Sequence, residues 1–177
     1  MVTALAYVWR RLMFRTTFVA VTGSVGKTTT KQCIGAVLGS RFPTVMTFDT
    51  QNAKFFAART ILRVRPWHRF AVLEVATNAP GRMWQEARLV SPDIAVIVGV
   101  ARTHTKRFDT IEQTAAEKAR MLDALRSGGT AILNGDDPHV AAMKSRFRGK
   151  VRMYGRAPGF DLRASEVSSV WPARRNM

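Results

Sequence analysis

The sequence predicts an α/β fold, a three-layer P-loop-type arrangement in which a mostly parallel sheet carries helices on both faces. Near-continuous apolar runs at 18–21, 70–75 and 94–100 alternate with helical patterns, as expected of strands buried on both sides. The first run leads into VTGSVGKTTTK, in which a glycine loop, a lysine and hydroxyls stand between strand and helix. A chain of 177 residues, 46% of them apolar, is long enough for one domain with a sizeable core.

Taken in order, residues 1–16 form an amphipathic N-terminal segment interrupted by Arg10, Arg11 and Arg15. Its uncharged stretch is far below the ~20 residues needed to span a bilayer. Its charges follow the apolar run, whereas a signal peptide puts them first. Such a helix rests on an anionic membrane surface, on a partner domain or on the chain's own core. A central domain is expected over 17–168 and an unstructured tail over 169–177. The strand at 18–21 is followed by a helix at 27–38, a short strand at 44–47 and a helix at 53–62. A strand at 70–75, a loop at Ala79, Pro80 and Gly81, and a helix at 83–89 come next. The β-branched run at 94–100 reads as a strand throughout. Thr110 and Gln113 form a capping box for a helix running to about 125, which Gly128 and Gly129 end. A strand at 131–133 precedes Asp137-Pro138, a cap followed by a first-turn proline. Strands at 151–154 and 162–167 complete the series. In a parallel sheet, ligands sit at the carboxyl ends of the strands.

The formal charge is +16, from 28 basic and 12 acidic residues, which favours anionic partners. The arginines are scattered and no basic stripe alternates with aromatics, so nucleic acid is not the expected partner. A single cysteine excludes an internal disulfide and points to a reducing, cytoplasmic setting. Cys33 lies beside Ile34, Val37 and Leu38 and is expected to be buried with them.

The glycine loop is the chemical centre of the sequence. Gly23 and Gly26 let backbone N–H groups turn toward phosphates, with Ser24 and Val25 between them and Thr29 just beyond. Lys27 adds a mobile cation, and Thr28 a hydroxyl for a phosphate-bound Mg²⁺. Val21 stands where G-x-x-x-x-G-K-[ST] requires glycine, so the loop is the shorter T-G-x-x-G-K-T-T form. The plainer alternative is a glycine turn before a surface helix.

Every strand end also carries a polar group: Glu74 and Asn78 in EVATNAPG, His104 in ARTHTKRF, and Asn134 in NGDDP. Lys118 follows in AAEKARML, and a YGRAPGFDLRA segment comes later. With the loop, this ordered set resembles the central ATP-binding domain of the Mur ligase family. The likeness is nearest to the branch that adds D-alanyl-D-alanine to a muramoyl tripeptide, and it covers about 18–167. The resemblance implies an ATP-dependent ligase that joins an acid to an amine through an acyl-phosphate, in cell-wall peptide or poly-glutamate synthesis. ATP and Mg²⁺ are the implied cofactors, and a carboxylate and an amine the implied substrates. Gly23 to Thr29 and Asn134 would hold the nucleotide. Lys27, Lys118 and His104 would be catalytic. Thr28, Glu74, His104 and a carbamylated Lys118 would face metal, and Asn52 and Asn78 the substrate.

Each residue also has a plainer role open to it. Glu74 would cap a helix or pair with an arginine, His104 would be a hydrogen-bonded surface residue, Lys118 a solvated helix lysine beside Glu117, and Asn134 a helix cap. The family's sugar-nucleotide and carboxy-terminal domains have no counterpart here, so a fragment or a partner supplying the remainder is expected. Two further readings stand beside the ligase. One is a truncated module that binds nucleotide without turnover. The other is a partition-like ATPase, against which Thr22 stands where that family has a second lysine.

Overall fold

The computed structural model describes residues 1–48, 56–77, 79–102, 108 and 110–166. Asn52, Asn78, His104, the start of the helix expected at 53 and the tail at 169–177 lie outside the described residues. Seven strands form one sheet: β1 (Thr17–Thr22), β2 (Thr44–Met46), β3 (Phe70–Glu74), β4 (Ile94–Ile97), β5 (Thr130–Asn134), β6 (Lys150–Gly155) and β7 (Leu162–Arg163). Their order is β2-β3-β1-β4-β5-β6-β7 and every pairing is parallel. The helices are α1 (Val2–Leu12), α2 (Lys27–Gly39), α3 (Phe56–Arg63), α4 (Arg82–Val90), α5 (Ile111–Ala119) and α6 (Pro138–Ala141).

Strand alternation sorts the core into two faces. Val19, Val21, Val72 and Val96 point to one side and pack on Ile34 and Leu38 of α2. Phe18, Ala20, Ala71, Leu73, Ala95, Ile97, Ala131 and Leu133 point to the other, under α1, α3 and α4. The chain winds from β1 outward to β2 and β3, then crosses β1 to lay down β4 and the strands beyond. The carboxyl ends of β1 and β4 therefore meet at the switch point, where an open α/β sheet receives ligands.

Four expectations change in the structure. Cys33 is exposed. Lys31 and Gly35 form the buried side of α2, and Cys33, two residues from each, falls on the opposite side of the helix. The strand expected at 94–100 stops at Ile97 because the next peptide groups bond elsewhere: Val98 O to Asn134 Nδ2, Gly99 O to Ser24 N and Val100 N to Asp137 Oδ2. The helix expected to reach 125 ends at Ala119. There, i to i−3 bonds from Arg120 N to Glu117 O and from Met121 N to Lys118 O tighten the turn before the 3₁₀ segment Leu122–Ala124. β7 likewise covers only the first two residues of the strand expected at 162–167.

The N-terminal segment packs on the chain's own core along one side, through Ala6, Trp9, Arg10 and Met13, while Leu5, Val8 and Leu12 are exposed. Among the described residues no helix is long and apolar enough to cross a membrane. Arg10 is 2% exposed and works as a bracket. Its guanidinium donates to Val90 O and Ser91 O at 2.7 Å each and to Asp93 Oδ2 at 3.2 Å, and it lies 3.7 Å over the Phe18 ring. Asp93 Oδ2 also accepts the Phe18 amide, so α1, β1 and the entry to β4 are joined at one point. Burial brings the Arg10 pKa down to about 10, against the pull of Asp93.

Replacing Arg10 by Leu strands two carbonyls and leaves Asp93 with only Arg126 and the Phe18 amide among its described partners. It is expected to cost about 3 kcal/mol, a fall in Tm of roughly 6–12 °C. A melt followed by circular dichroism and shifted by less than about 2 °C would contradict this bracket role.

Candidate active site

The loop between β1 and α2 is shaped by what lies beneath it. Ser24 N donates to Gly99 O at 2.7 Å, which seats the loop on the chain leaving β4. A Cβ at Gly23 would come within 3.1 Å of the Gly99 backbone, so a side chain here would force the two segments apart by a few tenths of an ångström. Gly26 sits at φ +77° as the N-cap of α2, and a Cβ there would stand 3.0 Å from Val98 Cγ1. The first N–H groups of α2 have no intrahelical acceptor and carry the positive end of its dipole. Val25, Gly26 and Thr29 are exposed at this end of the sheet.

Lys27 folds back on the loop, its Nζ 3.0 Å from Ser24 O. Burial lowers its pKa, and the charge of Glu74 opposes that shift. Thr28 Oγ1 donates to Glu74 Oε2 at 2.8 Å, joining the first turn of α2 to the tip of β3. Lys31 Nζ lies 3.9 Å from the same carboxylate oxygen. Glu74 thus has a hydroxyl and a lysine as its described neighbours, in place of the helix cap or arginine that were its plainer alternatives.

Lys118 is 5% exposed, so the solvated-lysine alternative does not hold. Burial, reinforced by Lys27 and opposed by Glu117, brings its pKa down to about 8. Glu117, which the sequence reading mentioned only as a neighbour, is buried too. Its Oε2 accepts from Gly81 N at 2.9 Å and its Oε1 from Met83 N at 2.7 Å, capping α4 from α5. The signal for it was the bare Gly81 start of α4, whose N-cap has no side chain to offer.

Asn134 spans two elements, donating from Nδ2 to Val98 O at 2.8 Å and accepting Asp136 N at 3.0 Å. Each of its groups keeps one further hydrogen-bonding position. Asp137 caps α6, as its sequence predicts, accepting His139 N and Val140 N. Ser24 Oγ, Thr22 Oγ1 and Thr77 Oγ1 are buried without a hydrogen-bond partner among the described residues. Unanswered hydroxyls at the ends of β1 and β3, beside a hydroxyl–carboxylate pair, suit phosphate oxygens and a hard cation. Among the described residues no three His, Cys, Asp or Glu side chains converge, so Thr28 and Glu74 are the protein oxygens in place for such an ion.

The family model described as the Mur ligase middle domain matches residues 21–172. The chain belongs to the Mur ligase family. It is 31% identical over 153 residues to the UDP-N-acetylmuramoyl-tripeptide--D-alanyl-D-alanine ligase of Bacillus subtilis, covering 86% of this chain and 33% of that protein. The crystal structure of MurF from Acinetobacter baumannii superposes with a TM-score of 0.87 at 25% identity, covering 94% of this chain and 37% of the other. MurF from Thermotoga maritima, solved in complex with ADP, gives 0.79 at 28% identity, covering 90% and 38%. The Mur ligase chain described here therefore spans about a third of the length of the curated relatives it matches. The all-parallel sheet and its helices are the α/β fold of those neighbours.

A ¹³Cε-lysine NMR titration, with Lys118→Arg for assignment, is expected to show one lysine titrating near pH 8. A Lys118 midpoint close to the ordinary value of about 10.4 would show that its burial in the fold is wrong.

Proposed function

We propose that this chain is the ATP-binding core of a ligase that joins a carboxylic acid to an amine through an acyl-phosphate. The observation that carries this reading is the Thr28–Glu74 pair set against the loop that bears Lys27. The loop N–H groups and Lys27 would hold the β- and γ-phosphates and cancel charge as it builds on them. A carboxylate oxygen of the acid then attacks the γ-phosphorus, the bond to the bridging oxygen breaks, and ADP leaves. The amine nitrogen attacks the acyl carbon and loses a proton, and phosphate departs with the carbon–oxygen electron pair. Mg²⁺, held by Thr28 and Glu74, would supply further neutralisation of phosphate charge. Asn134 would border the base, while Asn52, Asn78 and His104 would serve the acid substrate and metal side.

Lys118 would join the metal ligands as a carbamate. Only the neutral amine attacks CO₂. At pH 7 about a tenth of a lysine with pKa near 8 is neutral, against roughly one in a few thousand at the ordinary value. The names of the relatives favour a muramoyl peptide as the acid and D-alanyl-D-alanine as the amine, with poly-glutamate synthesis as the alternative, in the cytoplasm. Because two thirds of the relatives' length has no counterpart among these residues, a further domain or partner chain would deliver the amine.

Isothermal titration with ATP and Mg²⁺ tests the core of this reading. Lys27→Ala is expected to weaken binding by about tenfold or more, since a charge-assisted contact is worth roughly 1.5–3 kcal/mol; equal affinities would refute it. The 177-residue chain alone is expected to bind nucleotide without appreciable amide formation, and robust ligation by it would overturn that division of labour. Under ¹³C-bicarbonate, a carbamate resonance should appear in wild type and grow as pH rises through about 8. It should be absent from Lys118→Arg, and its persistence there would remove Lys118 from the scheme.

A further inference from the structure

Lys31 is a buried charge beside the phosphate loop that the scheme above does not use. It lies on α2 one turn beyond Lys27 and Thr28, and it is 2% exposed. An ammonium in such a place needs both a counter-charge and acceptors. Its Nζ donates to Thr47 O at 3.0 Å, where the chain leaves β2, and lies 3.9 Å from Glu74 Oε2. Thr47 in turn is tied to β3, donating from N to Val72 O at 3.0 Å and accepting Glu74 N on Oγ1 at 3.3 Å. One side chain therefore links the phosphate-loop helix, the exit of β2 and the carboxylate at the tip of β3.

The arrangement also divides labour among cations. Glu74 feels both Lys27 and Lys31, but only Lys31 comes within ion-pair distance of it among the described residues. Lys31 is 2% exposed and already donates to Thr47 O, whereas Lys27 is only partly buried and lies along the loop. A fixed internal counter-charge lets Glu74 stay aimed at Thr28 while Lys27 remains free for the nucleotide.

We propose that Lys31 is a positioning residue for metal-dependent nucleotide binding. It holds the Glu74 carboxylate in place and keeps Lys27 from being drawn to it. The proposal rests on the nucleotide-site reading above and assigns a role within that site to a residue that contacts neither nucleotide nor metal.

The test titrates MgCl₂ into the full 177-residue chain with a fluorescent ATP analogue, for wild type, Lys31→Gln and Lys31→Met. Gln keeps a donor for Thr47 O but loses the charge, and Met loses both. Both variants are expected to raise the Mg²⁺ concentration at half-saturation by about tenfold, as for a lost charge-assisted contact. Affinity for ADP without metal should stay within about twofold. A wild-type midpoint for Lys31→Gln would show that the bond to Thr47 suffices and overturn the proposal. An equal loss with and without metal would reduce Lys31 to ordinary packing. A second comparison needs no nucleotide: adding Glu74→Gln to Lys31→Met removes the stranded carboxylate and should raise Tm above that of Lys31→Met alone. A lower Tm for the double variant would refute the pairing. If wild type bound no nucleotide, the functional reading would fall while this melt comparison still decided the role of Lys31.

Discussion

The hydrogen bond from Thr28 to Glu74 is the contact on which the rest of the site depends. It spans the gap between the first turn of α2 and the tip of β3, two elements separated by 46 residues in the chain. That contact is open only because β3 lies beside β1 in parallel register, with Val21 opposite Glu74, so that both strands end at the same level. The fold thus delivers a hydroxyl and a carboxylate to the place where the first turn of α2 leaves its N–H groups without intrahelical acceptors. A hard-oxygen pair beside an anion cradle is what a metal-bound polyphosphate requires.

Around this contact the structure distributes charge with care. Lys27 and Lys31 both act on the carboxylate of Glu74, and Lys118 lies close enough to Lys27 to feel its charge. Glu117 is turned away to cap α4. Lys118 is buried, and the cost of charging it there, together with the nearby Lys27, leaves an amine that is neutral far more often than an exposed one. The opposite end of the sheet is held by other means. Arg10 and Arg126 share Asp93, which ties the N-terminal helix and the strand entries together and leaves the carboxyl ends to chemistry.

Much of this was legible in the sequence. Strands and helices followed from apolar runs and periodicity, and the loop from its own residues, while Glu74, Lys118 and Asn134 were singled out by the family resemblance that the order of motifs carries. What escaped was the part that depends on direction in space. Lys31 reads as one more polar residue after a phosphate loop, and nothing local reveals that its face of α2 turns toward the sheet. The same blindness put Cys33 inside, because Ile34 and Leu38 suggested an apolar surrounding that the helix turns away from it. Arg10 belongs to an apparently solvated pair with Arg11, and its partners lie some 80 residues away. The β-branched run after Ile97 looked like more strand, yet Ser24, Asn134 and Asp137 each claim a peptide group from it. Long-range polar bonds decided Lys31, Arg10 and the end of β4, and helix orientation decided Cys33; single-sequence patterns record neither.

The most direct measurement is a crystal structure of the chain with a non-hydrolysable ATP analogue and Mg²⁺. The account requires the γ-phosphate to lie against the loop within hydrogen-bonding reach of Lys27 Nζ, and the metal to contact both Thr28 Oγ1 and Glu74. A triphosphate bound elsewhere, or a metal that leaves Glu74 hydrogen-bonded to Thr28 and uncoordinated, would contradict it.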